Sequence, residues 1–171
     1  SSEKQTAMNG GYRYAPSTRI YMQFQNRFWE NESLSGWGNT DIPEEIWQPT
    51  WDLSGDTGVI MSYLRWTPAE NMDALSEQER IDYVLNRWEN VFPGATNNLD
   101  SGTSQSWAQE EWSKGAWASP TSSQDAALAN HVGLAEGDIH FAGEHASNYR
   151  GWMQGALVSG LRAANEINTA N

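Results

Sequence analysis

One stretch near the end of the chain constrains its fold more than any other. It runs Ile139-His140-Phe141-Ala142-Gly143-Glu144-His145-Ala146-Ser147, then Gly151-Trp152-Met153-Gln154-Gly155-Ala156, then Ser159-Gly160-Leu161-Arg162-Ala163-Ala164. The order reads as a short apolar strand over 139–142, a glycine turn, a loop, and a helix over 152–167 with glycine and alanine in its first turns. Met153, Leu157, Leu161 and Ala164 recur at helical spacing and fall on one face. Small residues at a helix start let a large, flat partner approach the backbone. The N–H groups and positive dipole end there favour a partner carrying negative charge. A redox cofactor with an electron-rich ring meets both demands.

This stretch resembles the C-terminal flavin motif of the FAD-dependent amine oxidases, and within them the L-amino-acid oxidases. The family pattern is a strand of the type hydrophobic-F-A-G-E-H/Y-T/S, a short loop, then G-W/Y-M-x-G-A-x-x-S-G-x-R-A-A. The resemblance implies FAD as cofactor and assigns roles residue by residue. Gly143 and Glu144 would approach the pyrophosphate and ribityl chain. The Met153 N–H would meet the pyrimidine end of the flavin, with Ala156 in the same cofactor-facing turn. Trp152 would stand over the flavin as an aromatic wall, and the Gly151 carbonyl would hold the substrate amine.

The resemblance extends toward the N-terminus. Lys4-Gln5-Thr6-Ala7, fifteen residues ahead of Arg19, is similar to a family segment whose lysine holds a water at flavin N5, which would make Lys4 catalytic. Arg27-Phe28-Trp29-Glu30 also matches and reads as structural. The segment from Asp41-Ile42-Pro43 through Ile46-Trp47-Gln48-Pro49 resembles a lining of the substrate cavity, with Trp47 and Gln48 where a tyrosine is common. Met61 to Trp66 resembles an S-Y-x-W element, which implies that Tyr63 and Trp66 touch substrate; Arg65 reads as pairing with a neighbouring acid. Trp107 would pack near the flavin ring, Gly115 and Ala116 would lie beside it, and Trp117 would shape the side-chain pocket.

The implied fold class is α+β. A mixed-sheet part of a substrate-binding domain is expected over residues 1–106. Residues 107–171 are expected to give a flavin-contacting loop and the closing strand and helix of a Rossmann-like FAD-binding domain. Alternation over 19–24 and the run 58–64 predict strands. Ser76-Glu77-Gln78-Glu79 predicts a capping box opening a helix that ends before Pro93-Gly94. Residues 94–106 are polar and turn-rich, and Ser122 or Ser123 is expected to cap a helix through about residue 131. Trp29 and Trp88 are read as core.

There is no G-x-G-x-x-G after a strand, the glycine pattern that cradles a dinucleotide pyrophosphate. The chain therefore resembles the last third of an amine oxidase. A companion polypeptide would carry the missing motif in a hetero-oligomer, as in the proteolytically processed L-glutamate oxidases. That resemblance implies an amino-acid substrate, L-glutamate first, with O2 as co-substrate, and a secreted protein. A lysine, arginine or polyamine oxidase and a tryptophan-rich carbohydrate-binding module are the competing readings.

Bulk properties narrow the partners. With 22 Asp and Glu against 10 Lys and Arg, net −12, the chain is poorly suited to nucleic acid or an anionic membrane. The longest strictly apolar run, Ala126 to Ala129, is far too short for a bilayer. There is no cysteine, and His131, His140 and His145 lack metal-ligand spacing, so no metal is expected.

Overall fold

The structure, a computed structural model, describes residues 1–41 and 44–169. In chain order the elements are α1 (Ser2–Thr6), β1 (Tyr14–Ala15), β2 (Ser17–Phe24), β3 (Gly38–Asn39), β4 (Glu45–Trp47) and β5 (Gly58–Arg65). There follow α2 (Thr67–Asp73), α3 (Glu77–Val91), α4 (Ala95–Asn98), β6 (Leu99–Ser106), β7 (Trp117–Ala118), α5 (Ser122–Val132) and α6 (Met153–Thr169). They fall into two compact units, Pro16–Lys114 and a second made of Ser1–Ala15 with Gly115–Asn171. The compact units divide at Lys114/Gly115, eight residues beyond position 106. The first fifteen residues belong with the C-terminal part because β1 pairs with β7, Tyr14 against Ala118 and Ala15 against Trp117.

The Pro16–Lys114 unit is a five-stranded sheet in the order β3-β4-β5-β2-β6, and every ladder among the described residues is antiparallel. The alternation of β2 sends Ile20, Met22 and Phe24 to one face, where Ile60 and Leu64 of β5 join them. Helix α3 covers that face with Ile81, Val84, Leu85 and Trp88. Its start carries the expected capping box: Ser76 accepts from the Glu79 N–H, and the Glu79 carboxylate accepts from the Ser76 N–H at 2.8 Å. Trp29 and Trp88 are fully buried.

Residues 99–106, expected to be turn-rich, form β6. Leu-Asp-Ser-Gly-Thr-Ser-Gln-Ser has little strand propensity, but pairing along β2 supplies its hydrogen bonds. A Cβ on Gly102 would come within 3.1 Å of the Ile81 side chain, so the missing side chain lets α3 lie close.

In the other unit, α5 is capped by Thr121 rather than by a serine: its hydroxyl accepts from the Gln124 N–H, and Gln124 returns a bond to the Thr121 N–H at 2.9 Å. Residues 139–142, expected as a strand, form no ladder, and only the isolated bridge Glu136–Ile139 touches that segment. A strand needs a neighbour, and the described residues supply none. Helix α6 forms as expected, and the face that carries Met153, Leu157 and Leu161 is turned outward. Gly155, Ser159 and Ala163 point inward, while Met153, Leu157 and Leu161 are 81%, 72% and 66% exposed. No described helix is long and apolar enough to cross a membrane.

Candidate functional site

The residues singled out in the Ser1–Ala15 and Gly115–Asn171 unit gather around one carboxylate. Glu144 follows the glycine turn, and each of its oxygens accepts a backbone N–H: Ala118 at 2.8 Å and Gly151 at 2.6 Å. One side chain therefore ties β7 to the loop preceding α6. Charge-assisted bonds of this kind are stronger than neutral ones. The clamp sets Gly151 against Trp117: a Cβ on Gly151 would lie 3.5 Å from the indole, and φ of +76° there suits glycine. Trp152 follows, 68% exposed, and Met153, Gln154 and Ala156 complete an exposed first turn.

Gly143 is held by a residue that the motif contains but the sequence reading passed over. Ser159, on the buried face of α6, accepts from the Gly143 N–H at 2.9 Å and donates to its carbonyl at 2.7 Å. The space a Gly143 side chain would occupy is filled by the His145 ring. Burial lowers the His145 pKa and so disfavours the charged ring, with Glu144 opposing the shift. Burial likewise pushes the Tyr14 hydroxyl up to about 12, with the Glu144 charge adding to it. Arg162 reaches the Phe141 carbonyl at 2.6 Å and Glu166 at 2.6 Å, and Glu166 also bonds His140 Nδ1 at 2.9 Å. The segment 139–142 is thus pinned to α6 by side chains rather than by a sheet.

Other expected residues have internal duties. A Cβ on Gly115 would meet the Tyr14 Cβ at 2.5 Å, so its smallness is already required by packing on β1. The Ala116 N–H bonds the Ala15 carbonyl at 2.9 Å. Lys4 is buried; its ammonium donates to the carbonyls of Val132, at 3.3 Å, and Leu134, and stands 3.4 Å over the Phe141 ring. Burial lowers its pKa, with Glu136 working the other way.

Tyr63, Trp66 and Trp107 belong to the Pro16–Lys114 unit. Tyr63 is on the outer face of β5, beside the exposed Trp47 at 6.3 Å. Gln48 points the opposite way, buried, and accepts from the Trp29 indole at 3.1 Å. Ile42 and Pro43 of the same segment lie outside the described residues. Arg65 pairs with Glu45 at 2.6 Å and Glu44 at 3.5 Å, as read from the sequence. Trp66 ends β5 at φ +56° and ψ −135°, a conformation that costs a non-glycine residue strain and persists where surroundings enforce it. Trp107 donates its N–H to the Ser17 carbonyl at 2.9 Å and leaves its ring 38% exposed.

Whether these residues fit a flavin nucleotide is decided atom by atom. The polar atoms of Glu144 and Gly143 are taken up within the chain. The first turn of α6 is different: the Gly155 N–H bonds the Trp152 carbonyl at 3.0 Å, but the Met153 and Gln154 N–H groups precede the first intrahelical acceptor, and Trp152, Met153 and Ala156 leave the turn open to a flat, electron-rich ligand. That end of α6 fits.

Comparison with known proteins places the chain in a family. The family described as flavin containing amine oxidoreductase matches residues 1–168. The chain is 36% identical over 160 residues to "Putative L-amino-acid oxidase YobN" of Bacillus subtilis (strain 168), covering 91% of this chain and 34% of that protein. It is 31% identical over 161 residues to an L-amino-acid oxidase of Siganus canaliculatus, covering 91% and 31%. The chain therefore spans about a third of the length of these relatives. In fold it superposes on cyclohexylamine oxidase from Brevibacterium oxydans with a TM-score of 0.80 at 19% identity, over 96% of this chain and 37% of that one. A putrescine oxidase variant gives 0.83 at 22%, over 98% and 38%.

Proposed function

The chain belongs to the flavin-containing amine oxidoreductases, an FAD-dependent family, and on that premise we propose that it is part of an L-amino-acid oxidase acting on L-glutamate. The overall change would be L-glutamate, O2 and water giving 2-oxoglutarate, ammonia and hydrogen peroxide. FAD, when bound, supplies the hydride acceptor for the substrate α-carbon and the route of electrons to O2.

The observation that carries this reading is the Glu144 clamp, which fixes Trp117, Gly151 and Trp152 in one corner at the start of α6. In that corner the Met153 N–H, at the start of α6, would hold the electron-rich end of the cofactor. Trp152 supplies an aromatic wall, and the Gly151 carbonyl accepts from the substrate amine. Trp117, packed on Gly151, limits the room for a side chain. Glu144 positions all three and touches no reactant.

The same reading includes companion polypeptide carrying the dinucleotide-binding motif, in a secreted hetero-oligomer. One fact supports the companion: α6 turns its large apolar residues outward. Exposed apolar patches of this kind mark interaction surfaces.

The test is peroxide release by the assembled protein across L-glutamate, L-glutamine, L-lysine, L-arginine and putrescine. L-glutamate is expected to give the highest kcat/KM. Faster turnover of any other amine overturns the substrate, and no peroxide from any of them overturns the activity.

A further inference from the structure

The outer face of the sheet carries a cation that the proposed function leaves unused. Arg19 stands on β2, in register with Tyr63 on β5 and Gln105 on β6. Its guanidinium carbon is 4.5 Å from the Tyr63 ring centroid and 6.0 Å from that of Trp47. Its Nη1 reaches the Tyr21 hydroxyl at 3.5 Å. Trp37 stacks on Trp47 at 5.9 Å and extends the wall. Aromatic faces attract a cation while stripping water from its flat sides, so an anion meeting its edge is bound with less competition from solvent.

Two arginines share the Tyr63 ring, and their surroundings differ. Arg65 lies 5.4 Å from that ring and is neutralised by Glu44 and Glu45. Arg19 has no carboxylate partner among the described residues, although acids outnumber basic residues 22 to 10 in the chain. Of the five N–H donors of a guanidinium, the hydroxyls of Tyr21, at 3.5 Å, and Tyr63 engage two at most, and neither is a carboxylate. A planar fork with free donors, backed by rings, matches the two oxygens of a carboxylate.

We propose that Arg19, walled by Tyr21, Trp47 and Tyr63, binds a carboxylate of a small organic acid whose methylene groups lie against the rings. That the acid is the substrate rests on the oxidase reading; the binding site itself stands on the outer-face geometry alone.

The experiment uses the assembled protein with glutarate, a dicarboxylate lacking the amine, as probe. Binding is read calorimetrically and by tryptophan fluorescence, which Trp37 and Trp47 would report. Arg19→Met is expected to weaken glutarate by about 10- to 100-fold, the worth of a charged hydrogen-bonded pair. Arg19→Lys is expected to fall between, because it keeps the charge and loses the fork. It also serves if Arg19→Met fails to fold. The KM for L-glutamate should rise with the same factor. L-Glutamine then says which carboxylate is held: its KM rises too if the α-carboxylate is bound, and stays put if the side-chain carboxylate is.

Arginine-dependent glutarate binding without peroxide from any amino acid would leave the site standing and remove the oxidase reading. Glutarate affinity and KM within about twofold of the parent in both variants would overturn the site. So would loss of the companion polypeptide from Arg19→Met at unchanged glutarate affinity, since Arg19 would then be pairing with another chain.

Discussion

Helices α3 and α6 have similar apolar spacing in sequence and opposite fates in the fold. Helix α3 turns Ile81, Val84, Leu85 and Trp88 onto its own sheet, in a cluster of sixteen buried described residues. Helix α6 turns Gly155, Ser159 and Ala163 inward and leaves Met153, Leu157, Val158 and Leu161 outside. The cluster in its unit holds four buried residues: Tyr12, Ala118, Leu128 and Val132. One unit completes a hydrophobic core from its own residues. The other is held by specific polar bonds, the Glu144 clamp and the Ser159 clasp, and keeps its large apolar side chains at the surface. Apolar periodicity identifies a helix; which face is inward depends on what else is there to cover it.

Substitutions can break this contrast. The largest effect is expected from Trp88→Ala, which empties the centre of the Pro16–Lys114 core and should cost about 3–5 kcal/mol in denaturant unfolding. A loss below about 1 kcal/mol would mean that this core is less self-sufficient than described. Next is Glu144→Gln. An amide can accept one of the two N–H bonds but turns its own donor toward the other, so stability should fall by about 1.5–3 kcal/mol. The Ala118 and Gly151 amides should then exchange hydrogen faster.

A smaller effect follows from His145. Burial depresses its pKa, so the unfolded chain binds more protons than the folded one as pH drops below the ordinary histidine value. Its contribution to stability is present above about pH 6.5 and is lost as pH falls toward the folded pKa. Thermal melts of His145→Gln should therefore lose less Tm between neutral and mildly acidic pH than the parent. Equal losses would show that His145 is not held neutral. The smallest effect is expected from Leu157→Ala, which should change the stability of the isolated chain by no more than about 0.5 kcal/mol because the side chain is exposed. The same substitution should weaken assembly with companion polypeptide.

The sequence carried much of this and missed it in specific places. The alternation of Arg19 to Phe24 and the Ser76/Glu79 box were sufficient for β2 and α3, since both are local patterns. Residues 99–106 were not legible as a strand because β2 provides the reason for it, not their own side chains. The 139–142 segment has strand composition without a strand's neighbour. The glycine-rich motif drew attention to the start of α6, yet it could not show that Gly115 is small for Tyr14 or that both Glu144 oxygens are engaged within the chain. Arg19 was invisible because lacking an acid partner is a fact of three dimensions; an arginine in a strongly acidic chain is only a faint cue.

The account depends most on α6 being one wall of a site completed by another polypeptide. The direct measurement is FAD retained per chain after gel filtration, for this chain alone and for the assembly with its dinucleotide-binding companion. The account predicts a colourless isolated chain and a yellow assembly holding one FAD per copy. An isolated chain that retains equimolar FAD would contradict it.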